Sequence, residues 1–141
     1  MKIKDINKLE KIANNIRIGI IEQVYNAQSG HPGGSLSATD ILTVLYFNQM
    51  NIDENKPSAQ ERDRFILSKG HCSPALYATL AEKGYFPKEK LSTFRKFGGE
   101  LQGHPDMKNI RGVDMSTGSL GQGLSAAVGM AIAKKMDSAG C

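Results

Sequence analysis

The stretch Ser116-Thr-Gly-Ser-Leu-Gly-Gln-Gly123 places three glycines directly before a long Ala-rich helix. Glycine lets the backbone bend tightly and lie close to another group. Leu120 is the only apolar residue here, so it can contact a flat ligand, while the open N–H groups at the helix start can face anionic or polar atoms. Glycine-rich turns often precede helices in proteins without a ligand, so a plain tight turn remains the alternative for this stretch alone.

The chain's composition is that of an ordinary globular protein. It has 141 residues, of which 40% are hydrophobic and 23% charged, which favours one domain with its own core. No apolar run approaches the roughly 18 residues of a membrane span, and the N-terminus lacks the apolar block of a secretory signal. The cysteines Cys72 and Cys141 form neither a disulfide framework nor a paired metal motif. We therefore expect a cytoplasmic protein without a membrane partner.

The net charge of +4 does not indicate a nucleic-acid-binding protein. Basic residues alternate with acids, there is no Trp, and only 6% of the residues are aromatic. Nucleic-acid binding usually needs a clustered basic face. The charge therefore predicts no nucleic-acid partner and at most a mild preference for anionic small molecules.

Helical periodicity and helix-start signals divide most of the chain into helices. Apolar residues recur every three or four positions from Ile3 to Ala27 and predict one long amphipathic helix with a buried stripe. A second helix is expected after residues 31–36, with Ser37 or Thr39 as its cap. Ser73-Pro74 is a typical start for a further helix ending near Lys83. A short helix after Pro87 and a last helix over about 120–135 complete the set.

The run Arg64-Phe-Ile-Leu-Ser68 is short and apolar, which predicts a buried strand of a parallel sheet. The expected fold class is therefore α/β, with a parallel sheet flanked by helices. Because a parallel sheet needs several strands and the pattern supplies one, and because the sequence ends at Cys141 after a helix, we expect residues 1–141 to be an incomplete domain.

The last predicted helix carries small residues every fourth position, at Gly121, Ser125, Gly129 and Ala133. They predict a flat ridge against which another helix can pack closely. The ridge itself indicates packing and not chemistry.

All three histidines, His31, His71 and His104, directly follow a glycine. Random placement of 15 glycines among 141 residues would give this with a chance of about 0.001. Proline after His31 and His104 favours extended backbone there, so the imidazoles are expected on loops, available for proton transfer or for binding charged oxygen. The histidine spacing does not fit a zinc site, and Cys72 without a basic cluster is expected to be a packing residue.

Four separated segments together resemble the N-terminal region of transketolases: Ser29-Gly-His-Pro-Gly-Gly34, Asp63-Arg-Phe-Ile-Leu-Ser-Lys-Gly-His-Cys72, Gln102-Gly-His-Pro105, and Ser116 to Gly123. The resemblance covers nearly the whole chain in the same order. Ser119 stands where many full-length transketolases have proline, and the sequence is most similar to the N-terminal subunit of two-gene bacterial transketolases.

The resemblance implies a thiamine diphosphate-binding fold and transfer of a two-carbon ketol group from a ketose phosphate to an aldose phosphate, as in the pentose phosphate pathway. It implies that His31 and His104 bind the sugar phosphate, with His31 assisting proton transfer, and that His71 lies at the cofactor diphosphate. All three are candidate catalytic residues. Gly118, Ser119 and Leu120 match the segment that contacts the cofactor.

The family also has features that this sequence lacks. Its Gly-Asp-Gly motif and following Asn, which hold Mg²⁺ at the diphosphate, are expected shortly after residue 141, so no metal ligand is assigned in this chain. The glutamate that activates the cofactor belongs to the C-terminal half, the expected partner in a homo- or hetero-oligomer. The chain alone is expected to be inactive. The alternative is a truncated binding or assembly module without catalysis.

Overall fold

The computed structural model describes residues 2–137, which fold into helices joined by long loops. The α-helices are α1 (Ile6–Ala27), α2 (Pro32–Leu36), α3 (Thr39–Val44), α4 (Ser73–Lys83) and α5 (Gln122–Met136). One π-helical turn, Leu45–Gln49, follows α3, and 3-10 helices span Gly70–Cys72 and Lys88–Thr93. Within residues 2–137, no helix is both long and apolar enough to cross a membrane.

The first helix confirms the amphipathic pattern. The Asp5 carboxylate caps α1 by accepting from the N–H of Asn7 at 3.0 Å, and Gln28 ends the helix with a left-handed φ of 48°. Ile16 and Ile20 are fully buried. At the start of the helix the predicted stripe is wrong, because the side chain of Ile6 is 70% exposed.

Helix α4 lies at the centre of the core, and every residue from 73 to 81 is buried. It crosses α1 at Gly19, where an added Cβ would lie 3.2 Å from Ala78 Cβ, so the missing side chain permits the close approach. The fully buried Gln23 amide joins the two helices further, donating to Pro74 O at 3.0 Å. The rest of the core packs around this pair.

Two expected helix starts differ in detail. Residues 31–36 are not a plain linker, since α2 forms within them, and the Thr39 hydroxyl is turned back to Ser35 O at 3.5 Å instead of capping α3. Ser73 is the first residue of α4, not its cap, and its hydroxyl donates to Gly103 O at 2.9 Å. In both cases a hydroxyl expected to cap its own helix bonds elsewhere.

The expected strand over residues 64–68 pairs with no other strand in the part of the chain that the structure describes. A parallel sheet is therefore not seen within residues 2–137. A strand needs a neighbour with which to exchange backbone hydrogen bonds, and here other groups hold the segment. The N–H of Phe65 donates to the Asp114 carboxylate at 2.7 Å, and Leu67 O accepts from the Thr117 hydroxyl at 2.8 Å.

Helix α5 is the least buried α-helix of the set, with Gly123 as its one buried residue. The predicted ridge is present but exposed, and apart from the neighbouring backbone of α5 itself nothing among the described residues lies within 4 Å of a Cβ built on Gly129. The ridge therefore packs against no helix described here. The chain end at Cys141, on which the expectation of an incomplete domain drew, lies outside the described residues.

Candidate functional site

Two of the three histidines meet where the start of α2 approaches the start of α4. The ring centroids of His31 and His71 are 5.0 Å apart with an edge-on arrangement. Gly34 makes this approach possible, because a Cβ there would lie 2.5 Å from the Cys72 sulfur and 4.0 Å from His71 Nε2. Lys69 joins the same segments by donating from Nζ to Gly34 O at 2.5 Å.

The loop that carries His31 is fixed through its backbone while the imidazole stays exposed. The Ser35 hydroxyl donates to His31 O at 2.9 Å from within α2. Pro32 occupies the first turn of α2, where its missing N–H costs nothing. The side chain of His31 is therefore presented from a held backbone, as the Gly-His-Pro pattern predicted.

Helix α4 holds the loop that carries the third histidine. The Tyr77 hydroxyl lies 2.8 Å from Gln102 O and 3.0 Å from His104 O, and the Ser73 hydroxyl donates to Gly103 O. Burial raises the pKa of Tyr77 well above its ordinary value, so the phenol keeps the proton that it donates. Three consecutive carbonyls before and at His104 are thus anchored to one buried helix.

The glycine-rich stretch lies close to the segments that carry His71 and His104. A Cβ on Gly70 would lie 2.7 Å from Thr117 O, and a Cβ on Gly118 would lie 3.7 Å from His104 Cδ2. These glycines let one backbone segment fit between two histidine loops.

The glycine-rich stretch contains backbone N–H groups without a hydrogen-bond acceptor among residues 2–137, next to one exposed apolar side chain. In the hydrogen bonds found among residues 2–137, the N–H groups of Gly118, Ser119 and Leu120 serve as donors in none. Leu120 is 73% exposed. Open N–H donors next to an exposed apolar side chain suit a ligand with both polar and flat apolar parts.

The electrostatics of the site keep one imidazole neutral. Partial burial lowers the pKa of His71 below its ordinary value of 6.5, and electrostatic interaction with the nearby His31, His104 and Lys69 lowers it further. At pH 7 the His71 ring is therefore uncharged and has one donor and one acceptor nitrogen.

Cys72 is fully buried, and burial raises the pKa of its thiol. A protonated buried thiol is a poor nucleophile, in agreement with the packing role expected for this cysteine. No group of three or more His, Cys, Asp and Glu residues between positions 2 and 137 is arranged to hold a metal ion.

The four predicted segments therefore lie together, and their contacts join His31 to His71 and Gly118 to His104. Sequence reasoning missed the residues that hold these segments, namely Lys69, Tyr77 and Arg95. Tyr77 looked like an ordinary core residue of a helix. Lys69 stands in the segment 63–72, but no role was predicted for it, and no pattern distinguished Arg95 from other scattered basic residues.

Comparisons with known proteins agree on one family. Residues 8–140 match the model of the family described as "Transketolase, thiamine diphosphate binding domain". The chain is similar to the 6-deoxy-6-sulfo-D-fructose transketolase subunit SqwG of Clostridium sp. (strain MSTE9), at 54% identity over 92% of the chain and 47% of that protein. It is also 46% identical to one of the subunits of the apulose-4-phosphate transketolase of Phocaeicola vulgatus, over 95% of the chain and 47% of the relative.

Solved structures show the same relationship. The transketolase of Leishmania mexicana superposes with a TM-score of 0.86 at 38% identity, over 89% of this chain and 19% of that one. The chain thus spans about half the length of the subunit relatives and about a fifth of this transketolase.

Proposed function

Because the chain belongs to the transketolase family, through its thiamine diphosphate-binding domain, we propose that it is the cofactor-binding part of an enzyme that transfers a two-carbon ketol group from a ketose phosphate to an aldose phosphate. The residues 1–141 would form part of the N-terminal domain, ending before the Gly-Asp-Gly metal motif. One observation carries the proposal: the glycine-rich stretch and the three Gly-His loops, far apart in sequence, lie at one place.

The side chains and backbone groups at this site are of the chemical types that thiamine diphosphate requires. Bound there, the cofactor would supply the carbanion chemistry of the two-carbon transfer. Neutral His71 can donate one hydrogen bond to a diphosphate oxygen, and the open N–H groups of Gly118 and Ser119 offer further donors. The exposed Leu120 offers an apolar contact for an aromatic ring.

His31 and His104 are the residues proposed to bind the sugar phosphate. Both are exposed on loops whose backbones are fixed, so the imidazoles can contact a ligand without losing the order of the loop. His31 would also move a proton at a substrate hydroxyl. A transketolase of Pichia stipitis has been solved in complex with sedoheptulose 7-phosphate, which supports a sugar phosphate as the ligand class.

The remaining parts of the proposed enzyme come from polypeptide beyond these residues and from a C-terminal half or subunit. They would supply the Mg²⁺ ligands and the activating glutamate, and they would pair with residues 64–68 as a strand of the family's parallel sheet. Two subunit relatives of about twice this chain's length support a two-chain enzyme.

A second candidate function is assembly without catalysis. Leucine, valine and isoleucine side chains on α5 are at least half exposed, which favours a surface that another polypeptide covers. In this alternative the chain would bind another transketolase polypeptide, and the complex would not transfer carbon.

A transfer assay distinguishes the two functions. The chain is combined with polypeptide that carries the Gly-Asp-Gly metal motif, a transketolase C-terminal subunit, thiamine diphosphate and Mg²⁺. Fructose 6-phosphate, found in complex with a mutant of the Pichia stipitis enzyme, is the donor, and an aldose phosphate is the acceptor. We expect turnover by the complex, none by the chain alone, and a loss of about a hundredfold in His31→Ala and His104→Ala. The control Arg111→Ala, on an exposed turn, should keep full activity. Stable association without turnover would instead favour the assembly function.

A further inference from the structure

Arg95 combines two unfavourable features, a left-handed backbone conformation and a buried donor without a partner among the described residues. Its φ of 57° is left-handed, a conformation that only Gln28 shares among the non-glycine residues from 2 to 137. Its Nε atom is buried and has no hydrogen-bond partner in the described part of the chain. Strained backbone and unpaired buried donors are both unfavourable, and they concentrate where function requires them. Their coincidence at one residue indicates a role in the neighbouring site.

The guanidinium of Arg95 contacts both loops that present the exposed histidines. Its Nη1 donates to the Ser29 hydroxyl at 2.6 Å, two residues before His31. On its other side lies Gly103, the residue before His104, where a Cβ would be 2.9 Å from Nε and 3.0 Å from Nη2. A side chain at position 103 would therefore displace the guanidinium of Arg95. This contact explains why a glycine precedes His104.

The neighbouring Phe94 supports the same arrangement from the core. Its ring is 1% exposed, lies 6.2 Å from the Tyr77 ring, and would be 3.5 Å from a Cβ on Gly30. The N–H of Arg95 donates to Leu101 O at 2.8 Å. The backbone on both sides of Arg95 is therefore fixed, so its side chain starts from a defined position.

We propose that Arg95 is a positioning residue that sets the separation between His31 and His104, and thereby the binding of the ketose phosphate. The substrate part rests on the proposed function, whereas the coupling of the two histidine loops does not. A planar guanidinium with donors in fixed directions can hold two loops at a defined distance, and the flexible ammonium group of lysine cannot.

The test uses histidine ring NMR signals and kinetics of the chain assembled with polypeptide that carries the Gly-Asp-Gly motif and with a transketolase C-terminal subunit. Gly103→Ala lies outside the His31 loop, so a shift of the His31 signal in this variant reports transmission through the guanidinium. We expect that shift in the wild-type background and its loss in the Arg95→Lys background. Arg95→Lys should also raise the KM for fructose 6-phosphate about tenfold with kcat little changed.

Arg111→Lys is the matched control, because its guanidinium also donates to a backbone oxygen, Glu54 O at 2.7 Å. It should change neither the histidine signals nor the KM. An unmoved His31 signal in Gly103→Ala would overturn the coupling, and an unchanged KM in Arg95→Lys would overturn its role in substrate binding. If Arg95→Lys does not fold, Ser29→Ala replaces it and should shift the His104 signal. If the histidine signals are coupled but the wild-type complex shows no turnover, the proposed function is wrong and the coupling of the two loops stands.

Discussion

Helices α4 and α5 are both rich in small apolar residues, yet the first is buried throughout and the second is exposed. Residues 73–81 of α4 are all buried, whereas α5 buries Gly123 alone. The difference lies in what each helix does for the site. Hydroxyls on α4 hold the backbone of the His104 loop, and only the beginning of α5 belongs to the site. Composition alone therefore does not tell a core helix from a surface helix.

The exposed face of α5 is a regular stripe. Leu124, Val128, Ile132 and Met136 follow one another at every fourth position, and each is between 50% and 78% exposed. Residues four apart share one helix face, so these side chains form a continuous apolar surface. Under the proposed function, the partner polypeptide covers this surface.

Truncating one leucine on each helix gives the largest expected contrast. Leu80→Ala removes a fully buried side chain from α4 and should lower the free energy of unfolding by about 2–5 kcal/mol, because it leaves a cavity. Leu124→Ala removes a side chain that is 67% exposed and should change it by less than about 0.5 kcal/mol. Chemical denaturation of the full chain measures both, and equal losses would contradict the burial difference.

Adding one methyl group should give opposite signs at two glycines. Gly70→Ala would place a Cβ 2.7 Å from backbone and side-chain oxygens of Thr117, and it should cost about 1–3 kcal/mol through overpacking. Gly129→Ala in α5 meets nothing within 4 Å and should gain about 0.5–1 kcal/mol from helix propensity. Thermal unfolding of the two variants checks the signs. A stabilised Gly70→Ala would show that the glycine-rich stretch is not packed against the histidine loop.

Removing the Tyr77 hydroxyl tests whether α4 positions the His104 loop. Tyr77→Phe loses the donor to the carbonyls of Gln102 and His104 and should lower the free energy of unfolding by about 0.5–1.5 kcal/mol. It should also shift the ring NMR signal of His104. Tyr25→Phe is the control, since Tyr25 is 71% exposed, and it should change neither quantity. An unmoved His104 signal in Tyr77→Phe would separate α4 from the positioning of that loop.

The smallest expected effect is a pH dependence of stability at the start of α4. The pKa of His71 is lower in the folded chain than its ordinary value of 6.5, so the unfolded chain binds the proton more tightly. The contribution of this group is therefore fully present above about pH 6.5 and is lost as the pH falls through the folded pKa. Denaturation midpoints of wild type and His71→Gln, each followed from about pH 7.5 down to about pH 5, measure it. A wild-type slope no steeper than that of His71→Gln would contradict the lowered pKa.

Periodicity and helix-start signals predicted α1 and α4 but not α2. The spacing of Ile16 and Ile20 predicted α1, and the Ser73-Pro74 start placed α4 within a residue. The pattern of Arg64–Ser68 is that of a strand, but a strand also depends on a neighbour, which a local pattern does not contain. Likewise, the small-residue ridge of α5 predicted packing, although whether a partner helix is present is a property of the whole assembly.

The sequence also predicted which residues gather at the site but not what holds them. Glycine before each of His31, His71 and His104 was an improbable coincidence, and the structure gives it specific causes, such as the contact of Gly103 with Arg95. The Tyr77 hydroxyl contacts a carbonyl 25 residues away, and the Arg95 guanidinium contacts Ser29, 66 residues away. Such pairings follow from the tertiary fold and leave no local pattern.

Calorimetric titration with thiamine diphosphate and Mg²⁺ tests the central claim most directly. The claim is that the histidine loops held by α4, together with the glycine-rich stretch, form a cofactor site that a partner completes over α5. The chain with polypeptide that carries the Gly-Asp-Gly motif and a transketolase C-terminal subunit should bind the cofactor, the chain alone should not, and His71→Gln should weaken binding in the complex while Arg111→Lys does not. Equal binding with and without the partner, or binding that is indifferent to His71→Gln, would contradict the account.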